Sequence, residues 1–471
     1  MKKTIKLAVV AALALGATSA FATNGDNMIA LGAKARGMGG TGIGVAHGAE
    51  SGLANPALIK ESEVSFGGTY FAPDVKFNNM SVTPDPTGAN PTMTSGITPM
   101  DSKANKSVIP EVALSIKVND LFTWGIGMYG VAGMGTDYRD DIAVYSNGAG
   151  QYPSPSGDQS KYQGTMSGTN QMSTNLQLMR FAVPLAFHTD IGLNFAVSPI
   201  LQYGSLEISY NNGSYYNAQG APHNVRTGSG YSQDFGFGYQ LGLSYEIAGL
   251  TVGAEYTSAI DMEYLHQISD ATRNFGLNNG AGLSDHLEQP ADMGLGLSYK
   301  IAGSTIAVDY KRIKWGSAKG YQDFKWEDQN VVALGYEYAA KSWALRVGYN
   351  YANNPIKEQL AGSMFQPGQY DGAAINYFNM AGFPAVEKSH YTIGGTYNVS
   401  KTIGIDAAYT YAPEVTTSMD TSAMTQANVY AGALAGGATQ AQAAGAASVS
   451  SSRATVSHSQ QALTLAMTIK F

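Results

Sequence analysis

The sequence predicts an all-β fold, a 14-stranded antiparallel β-barrel that crosses a membrane. Three observations predict this fold. No stretch of the chain offers the about 18 consecutive apolar residues that a membrane-spanning helix needs. Large apolar residues instead alternate with small or polar ones, and the connections between the alternating runs are short and long in turn.

The composition agrees with this fold. Hydrophobic residues make up 44% of the 471 residues and charged residues 13%, yet the mean hydropathy is only −0.13. The apolar residues are therefore spread along the chain rather than collected in blocks, which disfavours a helical membrane protein. Glycine, with 56 residues, and tyrosine, with 29, are enriched, as expected of strands, tight turns and interfaces.

The alternation is clearest at residues 235–247. Every second residue here is large and apolar, and the residues between them are small or polar. Successive side chains of a strand point to opposite sides, so such a strand has one apolar face and one small or polar face. The large apolar residues are Phe235, Phe237, Tyr239, Leu241, Leu243, Tyr245 and Ile247.

Fourteen such runs occur, and an even number is what bacterial outer-membrane barrels require. The predicted strands are residues 63–72, 111–118, 122–132, 174–187, 191–208, 232–247, 250–259, 289–301, 304–314, 329–340, 342–352, 389–398, 401–412 and 459–471. Turns of two or three residues alternate with long loops, as in barrels with short periplasmic turns and long outer loops. A soluble sandwich has no reason for this asymmetry. The long loops are residues 73–110, 133–173, 209–231, 260–288, 315–328, 353–388 and 413–458.

The sheet is expected to close into a ring because hydrocarbon surrounds it. Hydrocarbon offers no hydrogen-bond partner to an open sheet edge, so the strands must form a ring with the apolar face toward lipid. Aromatic residues at the strand ends fit the two interfacial girdles of such a barrel. They are Tyr349, Tyr351, Tyr409 and Tyr411 on the outer side, and Tyr245, Tyr299, Trp343 and Tyr397 on the inner side.

Two features interrupt the pattern. Pro184 and Pro199 lie within neighbouring predicted strands, and each removes one hydrogen-bond donor, so we expect a bulge or bend there. The last long loop contains a tract of small residues, Ala431–Ala447, which predicts a flexible or weakly helical segment without chemistry of its own.

Residues 1–22 are predicted to be a cleaved export signal. Three lysines precede an uncharged, mostly apolar stretch, and Ala20-Phe21-Ala22 supplies an A-x-A cleavage site. The alternative is a transmembrane anchor, but the apolar stretch from Leu7 to Ala17 is well short of the roughly 20 residues that span a membrane. The predicted organisation is therefore signal peptide 1–22, an N-terminal segment 23–61 and a barrel over 62–471.

Several functional classes are excluded or disfavoured. Cysteine is absent, so disulfide scaffolds, thiolate metal sites and cysteine nucleophiles do not arise. The formal net charge of −7 disfavours a nucleic-acid partner. The seven histidines show no metal-ligand spacing, and we interpret those outside the N-terminal segment as solvated residues of loops and strand ends. We predict no enzyme activity, catalytic residue, metal or cofactor.

The N-terminal segment does not alternate and is rich in glycine. Gly37, Gly39 and Gly42 match the G-x-G-x-x-G spacing of a dinucleotide-binding loop. No strand precedes them and no βαβ unit surrounds them, so this interpretation is weak. The alternative is a segment whose backbone packs closely where side chains would not fit, as inside a narrow barrel.

The segment resembles the FadL/TodX family of outer-membrane transporters for long-chain fatty acids and other hydrophobic compounds. The shared features are the stretch from Ala35 to Gly42, the Asn55-Pro56-Ala57 motif before the first strand, and a last strand that ends in Phe471. The glycine-rich stretch followed by Asn-Pro-Ala is fairly specific, whereas the terminal phenylalanine is common to outer-membrane barrels. The resemblance covers the layout of the chain after residue 22.

The resemblance implies that residues 23–61 form a hatch that plugs the barrel, and that its start, Thr23 and Asn24, touches the ligand. It also implies a third strand that kinks inward and opens a gap for lateral release. Here that strand ends in Tyr129-Gly130-Val131-Ala132, and Gly130 is the expected hinge, although it also fits an ordinary strand-end glycine. The Asn55-Pro56-Ala57 motif would then lie against the gap.

Side chains alternate between the two faces of the predicted fourth strand, so Leu176, Leu178 and Arg180 are expected to face the bore. The two leucines would suit an apolar ligand there. If the ligand carries a carboxylate, Arg180 or Arg346 could pair with it. The alternative, which we favour, is that these arginines form ion pairs that hold the barrel wall and the hatch together. The candidate partners are Glu255, Asp309 and Asp406.

The predicted function is passive uptake of fatty acids, aromatic hydrocarbons or alkanes by a monomer in the outer membrane of a Gram-negative bacterium. The expected partners are these compounds, outer-membrane lipid and lipopolysaccharide, and the barrel-assembly machinery, which would bind the end of the chain at Phe471. A general diffusion porin and a surface adhesin on the same barrel remain alternatives. Segment 23–61 argues against an open porin, and no sequence feature favours an adhesin.

Overall fold

The computed structural model describes residues 23–85, 90–140, 145–146, 168–216, 222–228, 230–273, 275, 277–360 and 371–471, so the predicted signal peptide lies outside the described residues. Fourteen strands form the wall, and the fourth is in two parts. They are β1 (Glu63–Pro84), β2 (Ser107–Asn119), β3 (Phe122–Met134), β4 (Gly168–Ala182 and Leu185–His188), β5 (Leu193–Tyr216), β6 (Ser232–Ile247), β7 (Leu250–Thr257), β8 (Asp292–Ile301), β9 (Ser304–Ile313), β10 (Gln329–Ala339), β11 (Trp343–Ala352), β12 (Ser389–Asn398), β13 (Ile403–Asp420) and β14 (Ser451–Lys470).

The sheet closes on itself. Neighbouring strands in sequence pair antiparallel, and β14 pairs with β1 from Lys470 opposite Glu63 to Ser451 opposite Val82. The predicted closed barrel of fourteen antiparallel strands is confirmed. In the described part of the chain, no helix combines the length and the apolar character needed to cross a membrane.

The two faces of the wall differ as the alternation predicts. On β6 the outward-pointing Phe237 is 76% exposed, whereas the inward-pointing Gln240 is 1% exposed. The same contrast recurs on β8, where Leu295 is exposed and Ser298 is buried. Exposed apolar side chains therefore surround the barrel, and polar side chains face its bore.

Four strands, β1, β5, β13 and β14, extend well beyond their predicted ends on the side of the long loops. On β1 the outward positions past residue 72 include Asp74 and Lys76, whose charged groups lie 3.5 Å apart. This part of the strand carries charges on its outer face, so it lacks the apolar period used for prediction. The backbone hydrogen bonds between β1 and β14 nevertheless continue past residue 72, because they do not depend on which side chains face outward.

The two prolines behave differently. Pro184 separates the two parts of β4, and its carbonyl oxygen accepts a hydrogen bond from Gly125 N at 2.8 Å. Pro199 stays in register within β5, opposite Tyr239. A break is therefore found at the first proline, and the expected bulge is absent from the second.

The long loops contribute short helices at one end of the barrel. In the described residues these are α2 (Ile268–Arg273), α3 (Asp371–Gly382), α4 (Ser422–Ala435) and α5 (Gln440–Ser448), and α1 (Ala33–Gly37) belongs to the N-terminal segment. The small-residue tract within 431–447 is thus largely helical. Side chains of α3 pack with other loop residues into one large buried apolar cluster at this end of the bore.

Candidate functional site

The N-terminal segment, residues 23–61, contacts inward-facing groups on strands around the ring. Its strongest anchor is the Asp309 carboxylate on β9, which accepts backbone hydrogen bonds from Gly42, Ile43 and Gly44 at 2.6, 2.8 and 3.3 Å. Across the bore, Arg36 Nη1 donates to Thr464 Oγ1 on β14 at 2.8 Å. The segment is therefore held inside the barrel by polar contacts to several strands.

Glycines of the segment mark points where its backbone packs closely, against the wall at Gly37 and Gly39 and against the segment itself at Gly42. Gly39 has a φ of +69°, and a Cβ placed there would lie 2.5 Å from Tyr349 N. A Cβ at Gly37 would lie 3.1 Å from Gly394 Cα, and one at Gly42 would lie 2.8 Å from Ala54 Cβ. The G-x-G-x-x-G spacing coincides with these close approaches, in agreement with the packing interpretation.

A buried charge cluster lies beside α1. Glu111 on β2 accepts a hydrogen bond from Gly32 N at 3.1 Å and lies 3.6 Å from Arg36 Nη2. Glu50 accepts from Ser65 Oγ at 2.5 Å, and burial raises the pKa of its carboxyl to about 7. These contacts tie the segment to β1 and β2.

The start of the segment contacts an outer loop. Asp26 is fully buried and accepts a hydrogen bond from the hydroxyl of Tyr321, which lies between β9 and β10. Gln289 Nε2 donates to Asp26 Oδ1 at 3.3 Å and to Asn27 Oδ1 at 2.7 Å. Burial raises the pKa of Asp26 to about 6, against the opposing effect of these hydrogen bonds.

The Asn55-Pro56-Ala57 motif lies near the short-turn end of β6. Asn55 Nδ2 donates to Ile43 O at 2.9 Å and to Leu243 O at 3.0 Å, and Asn55 Oδ1 caps the turn at Ala57 N at 3.1 Å. Ala57 packs in a cluster with residues of β4 and β5. The contacts of the motif are thus with β4, β5 and β6.

The wall is interrupted between β2 and β3. Their pairing begins near the turn and ends at Glu111 opposite Tyr129, and beyond this point the start of β2 pairs only with β1 among the described strands. The pairing of β3 with β4 shifts by one residue between Gly130 and Ala132. Ala132 then pairs with Asn27, and Gly133 N donates to Asp26 O at 3.1 Å. The N-terminal segment thus pairs with the end of β3, which β2 does not contact.

A cavity of about 80 Å³ lies between the segment and the wall. Both polar and apolar side chains line it. The polar residues include Asn24, Asn27, Arg180, Gln289, Asp292, Asp309, Lys311 and Asn350, and the apolar residues include Met28, Ile29, Leu31, Ile43, Leu53, Val131, Ile313 and Val331. An engineered cavity of about 150 Å³ holds benzene, so this space is too small for a hydrocarbon ligand as it stands.

The predicted ligand contacts are distributed as follows. Thr23 and Asn24 pair with Asn27 and Met28 in a short hairpin, and Asn24 lines the cavity. Leu176 and Leu178 are buried in the apolar cluster, and Arg180 points to the same side of β4 and lines the cavity. Their predicted inward parity agrees with the structure.

The predicted ion-pair partners of the arginines are wrong. Arg180 donates to Gln202 Oε1, at 3.2 Å from Nε and 3.0 Å from Nη2. Arg346 pairs with Glu337 on the neighbouring strand at 2.6 Å, because this carboxylate lies directly opposite it in the ladder. Arg346 faces a separate cavity of about 520 Å³ at the short-turn end, which the Lys34 and Asp406 side chains also line.

Sequence reasoning also misjudged two histidines. His390 and His458 are buried, because β14 is longer than predicted and the chain after α3 covers them. His458 Nδ1 lies 3.0 Å from Pro384 O. The sequence analysis named Asp309 among the carboxylates that hold the wall and the N-terminal segment together, but it did not identify Asp26, which lies in the segment itself.

Aromatic rings fill the bore on the long-loop side of Asp26. Trp315, Tyr321 and Trp326 form a triangle with ring centroids 4.6, 5.2 and 4.9 Å apart. A cavity of about 10 Å³ beside them is lined mainly by apolar side chains, including Leu206 and Phe383. The lining of this second cavity is therefore mainly apolar, in contrast to the mixed lining of the first.

Comparison with known proteins agrees with this architecture. The family described as Outer membrane protein transport protein (OMPP1/FadL/TodX) matches residues 8–153. The long-chain fatty acid transport protein of Escherichia coli K12 is 22% identical over 417 residues, which cover 79% of this chain and 85% of that protein. The chain is thus similar to the OMPP1/FadL/TodX family, whose model matches its first third. This similarity and the barrel fold together indicate a protein of the Gram-negative outer membrane.

Other FadL/TodX relatives extend the comparison. A FadL homologue of Pseudomonas aeruginosa superposes with a TM-score of 0.60 at 14% identity, covering 95% of this chain and all of that one. The toluene transporter TodX of Pseudomonas putida gives 0.56 at 17% identity, with 95% and 100% covered. At these identities the likeness shows the fold. An uncharacterised Chlorobium limicola protein is 41% identical over 88 residues, which cover 18% of this chain and 43% of that protein.

Proposed function

We propose that this protein is a channel for passive uptake of hydrophobic small molecules, namely long-chain fatty acids, aromatic hydrocarbons or alkanes. The relatives include proteins named as a long-chain fatty acid transporter and a toluene transporter. The ligand enters the apolar region among the long loops, residues 23–61 move as a hatch, and the ligand leaves sideways at β3. No step needs an energy source beyond binding.

The observation that most supports this proposal is the interruption between β2 and β3. A continuous ladder has no opening toward lipid, because every backbone group is paired with its neighbour. Here the ladder ends at Glu111 and Tyr129, and the hatch at Asp26 and Asn27 pairs with the freed part of β3. A movement of the hatch start would uncover the edge of β3 and a route to the bilayer.

The size of the cavities supports the need for such a movement. The cavity beside Asn24 measures about 80 Å³ and the apolar one about 10 Å³. A long acyl chain gains about 0.8 kcal/mol for each buried methylene, so binding can supply the energy for rearrangement. We therefore assign the closed state of the proposed cycle to this arrangement.

The diffusion porin fits the same contacts less well. An open porin needs a continuous polar bore, whereas here the hatch crosses the bore and Asp309 and Arg36 bind it to strands on different sides. No contact in the described residues specifically favours an adhesin. We therefore retain the uptake channel.

A disulfide lock tests the movement of the hatch. Ala33 of the hatch packs in a buried cluster with Ala408 on β13, and the chain contains no cysteine, so the pair Ala33→Cys and Ala408→Cys introduces one defined crosslink. We expect oxidised protein to take up radiolabelled palmitate or toluene at least tenfold more slowly, and reductant to restore uptake. Each single variant serves as the control. Undiminished uptake by the fully crosslinked protein would exclude movement of residues 23–61 as one body.

A further inference from the structure

The short-turn end of the barrel contains a cavity of about 520 Å³ that shares no described lining residue with the cavity beside Asn24. Its lining comes from the turn between β10 and β11, the turn between β12 and β13, the end of β14, and Lys34 of α1. Small-molecule sites in proteins usually measure about 300 to 1,000 Å³, so this space suffices for a compact ligand. The proposed uptake route does not pass through it.

The charged groups in the inner part of this cavity neutralise each other. Arg346 Nη2 lies 2.6 Å from Glu337 Oε2. Asp406 Oδ2 lies 3.9 Å from Lys34 Nζ and accepts a hydrogen bond from Thr468 Oγ1 at 3.0 Å. Arg346 and Asp406 are buried, so these pairs belong to the interior of the cavity. Two cations and two carboxylates leave no net charge there.

The outer part of the cavity is positive. Lys341 and Lys401 lie in the two turns, and Lys470 lies at the end of β14. All three are exposed, and none of them forms an ion pair with a residue that the structure describes. Three unpaired lysines therefore line the opening of a cavity whose interior is neutral. A cleft lined by one sign of charge focuses its field and attracts ions of the opposite sign.

The positive charge is confined to one sector of the short-turn end. The turn between β2 and β3 carries Asp120 instead, and the turn between β4 and β5 carries Asp190. Lys117 beside the first of these turns is neutralised, because its Nζ lies 2.9 Å from Asp120 Oδ1. The unpaired lysines are therefore a property of the cavity and not of the turns in general.

The kind of free cation indicates the kind of anion. Lysine carries a compact point charge with three donors and is well suited to phosphate groups. A phosphate monoester carries about −1.5 to −2 charges at pH 7 and three strong acceptor oxygens, so it matches three ammonium groups better than a single carboxylate does. The guanidinium group of Arg346, which would suit a carboxylate, is already bonded to Glu337.

The position of the cavity favours an occupant from solution over a lipid of the bilayer. Arg346 and Asp406 occupy inward positions of the wall, whereas the adjacent Leu345 and Ile405 are exposed on the lipid face. A lipid whose chains remain in the bilayer would have to bend its headgroup around the turns to reach the same space.

We propose that this cavity binds a soluble phosphate ester with several negative charges from the periplasm. The phosphate groups bind Lys341, Lys401 and Lys470 at the opening, and the uncharged part of the molecule lies toward the neutral interior. This binding site does not depend on uptake of hydrophobic compounds, because its described residues line a different cavity.

Calorimetric titration with fructose 1,6-bisphosphate tests this inference. The whole protein is held in nanodiscs of phosphatidylcholine, empty nanodiscs are subtracted, and gluconate serves as the sugar acid with a single carboxylate. We expect the bisphosphate to bind at least tenfold more tightly than gluconate, and to lose at least tenfold in affinity between about 50 and about 500 mM NaCl. Binding of the bisphosphate that is no tighter than that of gluconate overturns the inference.

Variants assign the binding to the cavity. Lys341→Gln, Lys401→Gln and Lys470→Gln should each weaken bisphosphate binding about threefold, and the triple variant at least tenfold. Lys300→Gln is the matched control, because Lys300 is an exposed lysine of the same end that does not line the cavity. An equal loss in Lys300→Gln would overturn the inference, since general charge would then explain binding. The altered mobility of heated against unheated protein in detergent gels verifies that each variant is folded.

Two further measurements separate the sources of phosphate and the two proposals. Native mass spectrometry should find the same amount of retained phosphatidylglycerol in the wild type and in the triple variant, whereas lower retention in the variant would assign the site to a lipid headgroup and overturn the inference. Uptake of palmitate or toluene should be unchanged in the triple variant. Loss of uptake together with bisphosphate binding would place these lysines on the uptake route and would overturn a separate site, while failure of uptake in the wild type alone would contradict only the uptake function.

Discussion

Asp26 of the N-terminal segment accepts a hydrogen bond from the hydroxyl of Tyr321 in the loop between β9 and β10. The bond joins the part of the segment that pairs with β3 to the aromatic triangle of Trp315, Tyr321 and Trp326. The aromatic triangle is therefore in direct contact with the residue next to the wall interruption. The same loop also packs against the hatch at Gly25, where an added Cβ would lie 2.5 Å from Trp315 Cζ2.

Removal of this contact should loosen the start of the hatch. Tyr321→Phe keeps the ring packing and deletes the donor to a buried carboxyl group, which costs about 1 to 3 kcal/mol of local docking free energy. We expect faster amide hydrogen exchange over residues 23–31 and unchanged exchange in the strands. Tyr338→Phe, on the exposed face of β10, is the control. Equal exchange in Tyr321→Phe and the wild type would show that the bond does not hold the hatch.

The docking of the hatch start should depend on pH through Asp26. Burial raises the pKa of its carboxyl from 3.8 to about 6, so the docked state binds the proton more tightly than an exposed carboxyl does. This stabilisation is complete below pH 4, is lost as pH rises toward 6, and changes little above 6. Exchange of residues 23–31, corrected for intrinsic rates, should therefore increase between pH 4 and pH 7. Asp26→Asn should remove this dependence.

Asp309 should determine how firmly the middle of the hatch is held. Its carboxylate accepts three backbone hydrogen bonds from Gly42, Ile43 and Gly44. Asp309→Ala leaves these donors without their partner and should weaken docking by about 3 kcal/mol. We expect small sugars to leak into proteoliposomes that carry the variant. Asp120→Ala, in an exposed turn, should not leak, and a tight Asp309→Ala barrel would contradict the anchoring role.

Gly39 should tolerate no side chain. An added Cβ would lie 2.5 Å from Tyr349 N and 2.6 Å from Leu334 O, and the φ of +69° costs an L-residue about 1 to 2 kcal/mol in addition. Gly39→Ala should therefore displace the hatch, increase its cleavage by added protease and raise leakage. Gly432→Ala on α4 is the matched control, since nothing lies within 4 Å of its Cβ position. Resistance of Gly39→Ala to protease would contradict the close packing.

The wall could be predicted from the sequence because its cause is local and periodic. Alternation such as that of residues 235–247 reports which face meets lipid, and it fixes strand number and parity. Inward parity correctly placed Arg180 and Leu176. The partners of the arginines depend instead on register between strands, which one sequence does not reveal. Arg346 pairs with Glu337 because these residues are opposite each other, not because of any pattern along the chain.

The hatch contacts were harder to predict for a related reason. Asn55 and Asp309 form hydrogen bonds to backbone atoms far away in sequence, and such contacts leave no periodic trace. The ends of β1 and β14 were missed because charges on the outer face, such as Asp74, remove the apolar period there. The number and parity of the strands were therefore predictable, because contact with lipid determines them. The hatch contacts were not, because packing inside the bore determines them.

The one-residue shift in β3 makes the wall interruption testable by deletion. Gly130 pairs with Met179 and Ala132 with Leu178, so Val131 is the extra residue of a bulge. Deletion of Val131 removes the bulge, lets β3 continue straight beside β4, and so favours pairing with the free start of β2 instead of Asn27. We expect uptake of palmitate or toluene to fall at least tenfold while the barrel still inserts into membranes. The matched control is deletion of Val118, which is the extra residue at the shift between Lys117 and Asn119 near the turn of the same hairpin. Normal uptake after deletion of Val131 would mean that ligand does not leave beside β3, whereas equal loss in both deletions would assign the effect to the hairpin as a whole.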